Sequence, residues 1–204
     1  MKLKAENITK SFGSHTVLDG ASFELGHAEV VGIVGENGTG KTTLLKIVMG
    51  LLPATHGSIS ADGIVGYCPQ DITVFEALTP HENYRYFARA YKGRASHTHD
   101  FDAAWLDLMR RFRFEEYQHR LVAELSGGTK QKLNLALALI HSPDILILDE
   151  PYSGFDWETY ECFWRYTSEL REKGKSVLIV SHLINDRSYF DRIYDLKNGR
   201  LTCV

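Results

Sequence analysis

The chain has no surplus of positive charge, few cysteines and no long apolar run. Its 23 Lys and Arg are outnumbered by 26 Asp and Glu, giving a formal net charge of −3 over 204 residues. There is no basic field of the kind that holds nucleic acid by counterion release, so no nucleic-acid partner is expected. No stretch approaches the ~20 apolar residues that a helix needs to cross a bilayer. The start, Met1 to Asn7, also lacks the apolar core of a signal peptide, and a cytoplasmic location is expected. Three cysteines, Cys68, Cys162 and Cys203, are too few and too scattered for a disulfide framework or a zinc site. The length suits one sizeable α/β domain carrying an insert.

What is present is organised around Gly35-Glu36-Asn37-Gly38-Thr39-Gly40-Lys41-Thr42-Thr43, a glycine, four residues, then Gly-Lys-Thr. It follows the β-branched run Val30, Val31, Ile33 and Val34 and leads into Leu44–Met49, a helix closed by Gly50. Strand, tight loop and helix are the context a phosphate-cradling loop requires. The glycines allow backbone N–H groups to turn inward, and the helix points its positive end at the same spot. Lys41 would place an ammonium on the β- and γ-phosphates of a nucleoside triphosphate, with the Thr42 hydroxyl as a Mg²⁺ ligand.

Ahead of the loop, Leu3, Ala5 and Ile8 begin one strand and Thr16 to Leu25 forms a second, with Phe12 near the turn between them as a ring that can stack on a purine. After the helix, Ser58-Ile59-Ser60 and Ile64–Cys68 read as short strands joined through the hairpin signal Asp62-Gly63. Pro69 stops the second strand and leaves the Gln70 amide at its end, able to touch a metal-bound water and whatever docks on the next segment.

From Asp71 to about Glu124 aromatics and charges replace the β-branched runs, which marks an inserted helical subdomain. Thr79-Pro80-His81-Glu82 reads as a helix start, and Phe101, Trp105, Leu108, Met109 and Phe112 as the core stripe of another helix. His97, His99 and Asp100 fall in a connection where solvated residues collect, and metal binding is not expected there. Leu125-Ser126-Gly127-Gly128 precedes a helix that is apolar nearly all round, with Ser126 as N-cap and bare N–H groups that make a second anion site. The run Ile145–Leu148 leads into Asp149-Glu150, two acids at the exit of a buried strand. Asp149 suits the Mg²⁺ shell, and Glu150 suits polarising a water for in-line attack. A further strand, Ser176–Val180, ends at Ser181-His182, where the imidazole can sense the γ-phosphate.

In these motifs and their order, from Leu3 to Leu201, the chain resembles the ATP-binding cassette (ABC) ATPases. Gly35 to Thr42 is similar to the family's Walker A, Gln70 to its Q-loop, Leu125 to Gly128 to its signature, and Ile145 to Glu150 to its Walker B. Ser153-Gly154-Phe155-Asp156 resembles the D-loop, His182 the switch histidine, and Phe12 stands in place of the adenine-stacking aromatic. Departures are Thr129 for the usual Gln, Phe12 for the commoner Tyr, and Tyr152. None removes a phosphate, metal or water ligand.

The resemblance implies an α/β fold: a P-loop core with a mixed, mainly parallel sheet (1–70 and 142–204), an N-terminal antiparallel β subdomain, and a helical signature subdomain (71–141), all one domain. It implies ATP and Mg²⁺ as cofactors, with Glu150, His182 and Gln70 catalytic. ATP would be held by Phe12, Gly35 to Thr43, Ser126, Gly127, Gly128 and Asp156, and Mg²⁺ by Thr42, Gln70 and Asp149. The implied partners are a second ABC ATPase subunit, identical or not, in a head-to-tail dimer, and separate membrane permease subunits at the inner face of the cell membrane. The segment Ala77 to Asn83 resembles that of drug, antibiotic or haem-type exporters. The chain ends soon after its last hairpin, so regulation by a C-terminal extension is not expected. The alternatives are a soluble ABC ATPase acting on a macromolecular partner and a P-loop kinase. The missing coiled-coil insert and second cassette disfavour the first; the signature and Glu150 disfavour the second.

Overall fold

Long alternating strands at the start and β-branched runs further on set the architecture. In the computed structural model, residues 1–91, 100–182, 184 and 186–204 are described. They fall into two compact units, 1–64 with 170–204, and 65–169.

In the first unit, β1 (Leu3–Phe12) pairs antiparallel with β2 (His15–Leu25) on one side and with β4 (His56–Ala61) on the other. Residues Leu3, Ala5 and Ile8 of β1 and Leu18, Ala21, Phe23 and Leu25 of β2 are buried, the period-two pattern of a sheet covered on one side, interrupted where the register shifts between Ala5 and Ile8 and between Ile8 and Lys10. The remaining strands are β3 (Val30–Val34), β7 (Ser176–Ser181), β8 (Arg192–Lys197) and β9 (Arg200–Cys203). Here β3 lies parallel to both β7 and β8, and β8 turns antiparallel into β9. β3 and β7 are buried almost throughout, as their unbroken apolar runs require of strands covered on both faces. The Lys197 to Arg200 hairpin uses Asn198 and Gly199 at positive φ, the chemistry of a two-residue turn. Helix α1 (Lys41–Val48) follows β3 and buries Leu44, Leu45 and Ile47, about 2 kcal/mol each of apolar burial that fixes a helix too short to persist alone.

The second unit holds a parallel pair, β5 (Val65–Cys68) and β6 (Ile145–Asp149), with helices α2 (Pro80–Tyr91), α3 (Phe101–Arg111) and α4 (Gly127–Leu139). Helix α5 (Trp157–Glu172) leads back to the first. α2 starts where Thr79 and Glu82 form a reciprocal capping box: Thr79 N–H donates to Glu82 Oε2 (2.8 Å) and Glu82 N–H to Thr79 Oγ1 (3.2 Å). α3 is capped by Asp100, which accepts from the N–H groups of Asp102 and Ala103, and its stripe of Phe101, Trp105, Leu108 and Met109, with Phe112 beyond it, is buried as expected. Tyr84 of α2 stacks on Trp105 at 4.9 Å, which ties the two helices through their largest side chains. His97 and His99 lie outside the described residues. Among the described residues no helix is long and apolar enough to cross a membrane.

One expectation fails. Asp62-Gly63 does not close a hairpin, because β4 pairs with β1 and β5 pairs in parallel with β6. A β-turn signal marks a change of direction but does not choose the strand's neighbour. Here β4 gains an exposed antiparallel edge, while the buried Gly66 and Cys68 of β5 require a covered strand.

Candidate active site

The phosphate loop is shaped from behind. A Cβ on Gly35 would meet the Leu196 carbonyl of β8 at 2.7 Å, and one on Gly40 would meet Val17 of β2 at 2.9 Å. Gly38 and Gly40 also hold positive φ (83° and 104°), where glycine costs least. So the sheet packing and the turn geometry demand the same glycines that sequence reasoning assigned to phosphate. Lys41 is buried, and its ammonium donates to the carbonyls of Gly35 (2.6 Å) and Glu36 (2.9 Å), curling back into the loop. Thr39 closes the turn by donating to Glu36 O. Gly40 is the N-cap of α1, with no side-chain cap and no acid in the first turn. The helix's first N–H groups thus point at the loop unneutralised, as a polyphosphate needs. Phe12 ends β1 with half its surface exposed, and Lys10 Nζ lies 5.1 Å from its ring centroid. His182 follows β7 and is exposed.

In the second unit the acids sit where the strand run placed them. Asp149 closes β6 and Glu150 follows at once, both buried. Burial, followed by the Asp149 carboxylate, pushes the Tyr67 phenol up to about 12, which places that negative charge beside the end of β5. The register pairs Cys68 with Leu148, so Pro69 and Gln70 leave β5 level with Asp149 and Glu150 leaving β6. Gln70 is exposed. Glu150 has φ 49°, a left-handed conformation that costs an L-residue on the order of 1 kcal/mol, and Pro151 follows it. Within this unit Gln70 and Asp149 offer an amide oxygen and a carboxylate, hard oxygen donors of the kind that suit Mg²⁺, which keeps waters and takes few protein ligands.

Ser126 caps α4 as expected, accepting from Thr129 N–H at 3.2 Å. The helix start opens on a cleft of about 810 Å³ lined by Ser126, Gly128, Thr129, Lys132, Gly154 and Asp156 among others. The two signature glycines differ. A Cβ on Gly127 would meet nothing within 4 Å, whereas one on Gly128 would lie 2.5 Å from the Gly154 carbonyl. Asp156 has a local task that sequence reasoning missed: it caps α5 by accepting from Thr159 N–H at 2.7 Å. Those bonds to Thr159, helped by Lys132 and Arg113, hold its carboxyl below the usual range. An Asp three residues before Thr at the start of an apolar-periodic run was the signal. Lys132 lies 4.0 Å from Asp156, and burial lowers the pKa of its ammonium.

A phosphate loop at a helix start, with an acid pair at the exit of a buried strand, defines a P-loop nucleoside triphosphatase. Residues 18–153 match the sequence profile of the ABC transporter family. An uncharacterised ABC transporter ATP-binding protein of Methanocaldococcus jannaschii is 34% identical over 98% of this chain and 75% of its own length. The linearmycin resistance ATP-binding protein of Bacillus subtilis is 31% identical over 99% of this chain and 68% of its own length. The probable multidrug ABC transporter ATP-binding protein YbhF of Escherichia coli is 33% identical, and this chain spans only 36% of it. Among solved structures, an ATP-binding subunit of an ABC transporter superposes with a TM-score of 0.92 at 28% identity, covering 100% of this chain and 90% of that one. A dimeric ATP-binding cassette in a post-hydrolysis state with ADP and Pi gives 0.87 at 26% identity, covering 99% and 97%. The chain belongs to the ABC transporter family, and it is an ATP-binding ATPase subunit.

Proposed function

We propose that the chain works as a head-to-tail dimer that closes on two ATP molecules and drives export through separate membrane subunits. The observation that carries this is the start of α4: an exposed glycine helix terminus on an open cleft, an anion site for which Gly127 leaves room. A second subunit presenting a loop-bound triphosphate supplies that anion.

Within each site Lys41 and the loop N–H groups bind the β- and γ-phosphates, and Phe12 stacks on the adenine. Ser126, Gly127 and Gly128 take the γ-phosphate of the partner's nucleotide, with Asp156 beside them. Thr42, Gln70 and Asp149 would hold Mg²⁺, and the ion would supply positive charge against that developing on the phosphate oxygens. Glu150 accepts a hydrogen bond from the attacking water and aligns it with the γ-phosphorus, opposite the bond to ADP that breaks. His182 donates to a γ-phosphate oxygen and reports its loss.

Export, rather than import, is favoured by relatives whose names record multidrug transport, linearmycin resistance and Nod factor export. A docking surface for the membrane partner after Gln70 is supported by Ile72, Phe75 and Tyr86, which are exposed, with the rings of Phe75 and Tyr86 meeting at 4.8 Å. Docking there would hold the chain at the cytoplasmic face of the membrane.

Glu150→Gln tests the reading, since it keeps shape and removes charge. ATP affinity should hold or improve, turnover should fall about a hundredfold, near 3 kcal/mol of barrier, and sedimentation should show a dimer only with ATP. Turnover at the parental rate would move the water-orienting role elsewhere. A monomer with ATP would remove the dimer.

A further inference from the structure

Helix α4 is apolar nearly all round, yet it buries two amides, Gln131 (3% exposed) and Asn134 (4%). A buried amide without partners is costly, and both have them. Gln131 Nε2 donates to the Pro151 carbonyl at 3.2 Å, and Asn134 Nδ2 donates to the Pro69 carbonyl at 2.9 Å. Spaced by three, the two lie on one face of the helix. They meet the chain just past the ends of β6 and β5, within two residues of Glu150 and Gln70.

The Pro151 bond matters most because of what precedes it. A residue before proline is driven toward extended backbone, and Glu150 is instead left-handed. The turn that follows contributes a bond, Ser153 N–H to Glu150 O at 3.3 Å. Gln131 contributes an anchor from a different element, at the carbonyl of the proline itself. Gly128 packs its Cα against Gly154 in the same segment, one turn earlier on α4.

We infer that Gln131 is a positioning residue for ATP hydrolysis, which holds the Glu150 backbone in its left-handed conformation through the Pro151 carbonyl. The inference rests on the role proposed above for Glu150. Gln131 touches neither nucleotide nor water in this role, so its removal should lower kcat and leave ATP binding alone.

The test is Gln131→Met, of similar length but with no donor, made in the parent and in the Glu150→Gln background. In the parent, kcat should fall about tenfold, equal to ~1.4 kcal/mol, with the KM for ATP within about twofold. In the Glu150→Gln background the residual single-turnover rate should not fall further, because the group being positioned is gone. Unchanged kcat in the parent overturns the inference, as does an equal loss in both backgrounds. Should Gln131→Met not fold, Gln131→Asn keeps an amide one methylene short of the carbonyl and must give the same pattern. Parental turnover in Glu150→Gln alone would sink the reading of Glu150, and this inference with it. A slow Glu150→Gln beside a normal Gln131→Met would sink only the inference.

Discussion

Gly127→Ala and Gly128→Ala make the same chemical change one residue apart, and the structure gives them opposite consequences. At Gly128 the new methyl would start 2.5 Å from the Gly154 carbonyl oxygen. Carbon and oxygen approach no closer than ~3.3 Å without repulsion, so one backbone must yield by on the order of 0.8 Å. The segment that must yield is held at several points: Phe155 N–H to Tyr152 O, Asp156 to Thr159 N–H, and Gln131 to Pro151 O. Overpacking of this kind costs ~1–3 kcal/mol, and the helix preference of alanine over glycine returns up to about 1. A net loss near 1 kcal/mol lowers the melting temperature by about 2–4 °C in a chain of this size. Turnover should suffer more, by about ten- to a hundredfold, because a shift approaching 1 Å in this segment would be passed to Glu150, the residue directly before Pro151. At Gly127 the methyl meets open space, so the melting temperature should hold or rise slightly. Calorimetry on both variants, with steady-state ATPase rates, separates these outcomes. If Gly128→Ala melts and turns over like the parent, the contact with Gly154 does not constrain the segment. If Gly127→Ala loses as much stability as Gly128→Ala, the distinction between the two glycines is wrong.

Of the three tryptophans, Trp105 and Trp164 are buried and Trp157 is 70% exposed, next to Asp156 of the signature cleft. ATP added to Glu150→Gln should shift the emission to the blue, and Trp157→Phe should abolish that shift. An unchanged spectrum in a sample that sediments as a dimer would place Trp157 outside the interface. Glu29 accepts from Arg192 Nε (2.5 Å) and Nη2 (2.8 Å) and from Gly26 N–H. Burial works to raise its pKa, but Arg192 and the Gly26 N–H outweigh it, and the folded value lies below 4.5. A lowered folded pKa means stability that is present above the unfolded pKa and lost as pH falls through the folded one. Glu29→Gln should therefore be destabilising at pH 7 and lose less on acidification below about 4.5 than the parent. Parallel pH profiles for parent and variant in urea unfolding would refute the pairing.

The phosphate loop, the acids after β6 and the helix start at Thr79 were legible because each is local: the residues that define it are within eight positions of one another. The strand partners of β4 and β5 were not, since the choice depends on β1 and β6, more than 45 residues away in the chain. The left-handed backbone of Glu150 was invisible for a related reason. Only the surrounding structure can hold a residue before proline out of its ordinary range. Gln131 reads from sequence as part of the stretch ahead of an apolar helix and Asn134 as part of that helix, and the missed signal was the context: two amides beside or within a run that is buried throughout from Leu133 to Leu139.

The glycines carry the same lesson into mechanism. Gly35, Gly40 and Gly128 each lie where a backbone carbonyl or a core side chain approaches too closely for any Cβ, whereas Gly38 and Gly127 face open space. A motif read as a list of ligand contacts therefore mixes two demands, one from the nucleotide and one from the fold. At α4 the two converge on one helix. Its exposed start, Ser126 and Gly127, is where a partner's phosphate would arrive, while Gly128 and the buried Gln131 hold the segment that follows Glu150. A rigid helix of 13 residues gripped in this way cannot tilt at its start without moving the Pro151 and Gly154 carbonyls. On the roles proposed above, arrival of the anion and placement of the Glu150 carboxylate would be coupled within the second unit, and loosening Gln131 should weaken that coupling by freeing Glu150 while the anion site at Ser126 and Gly127 stays in place.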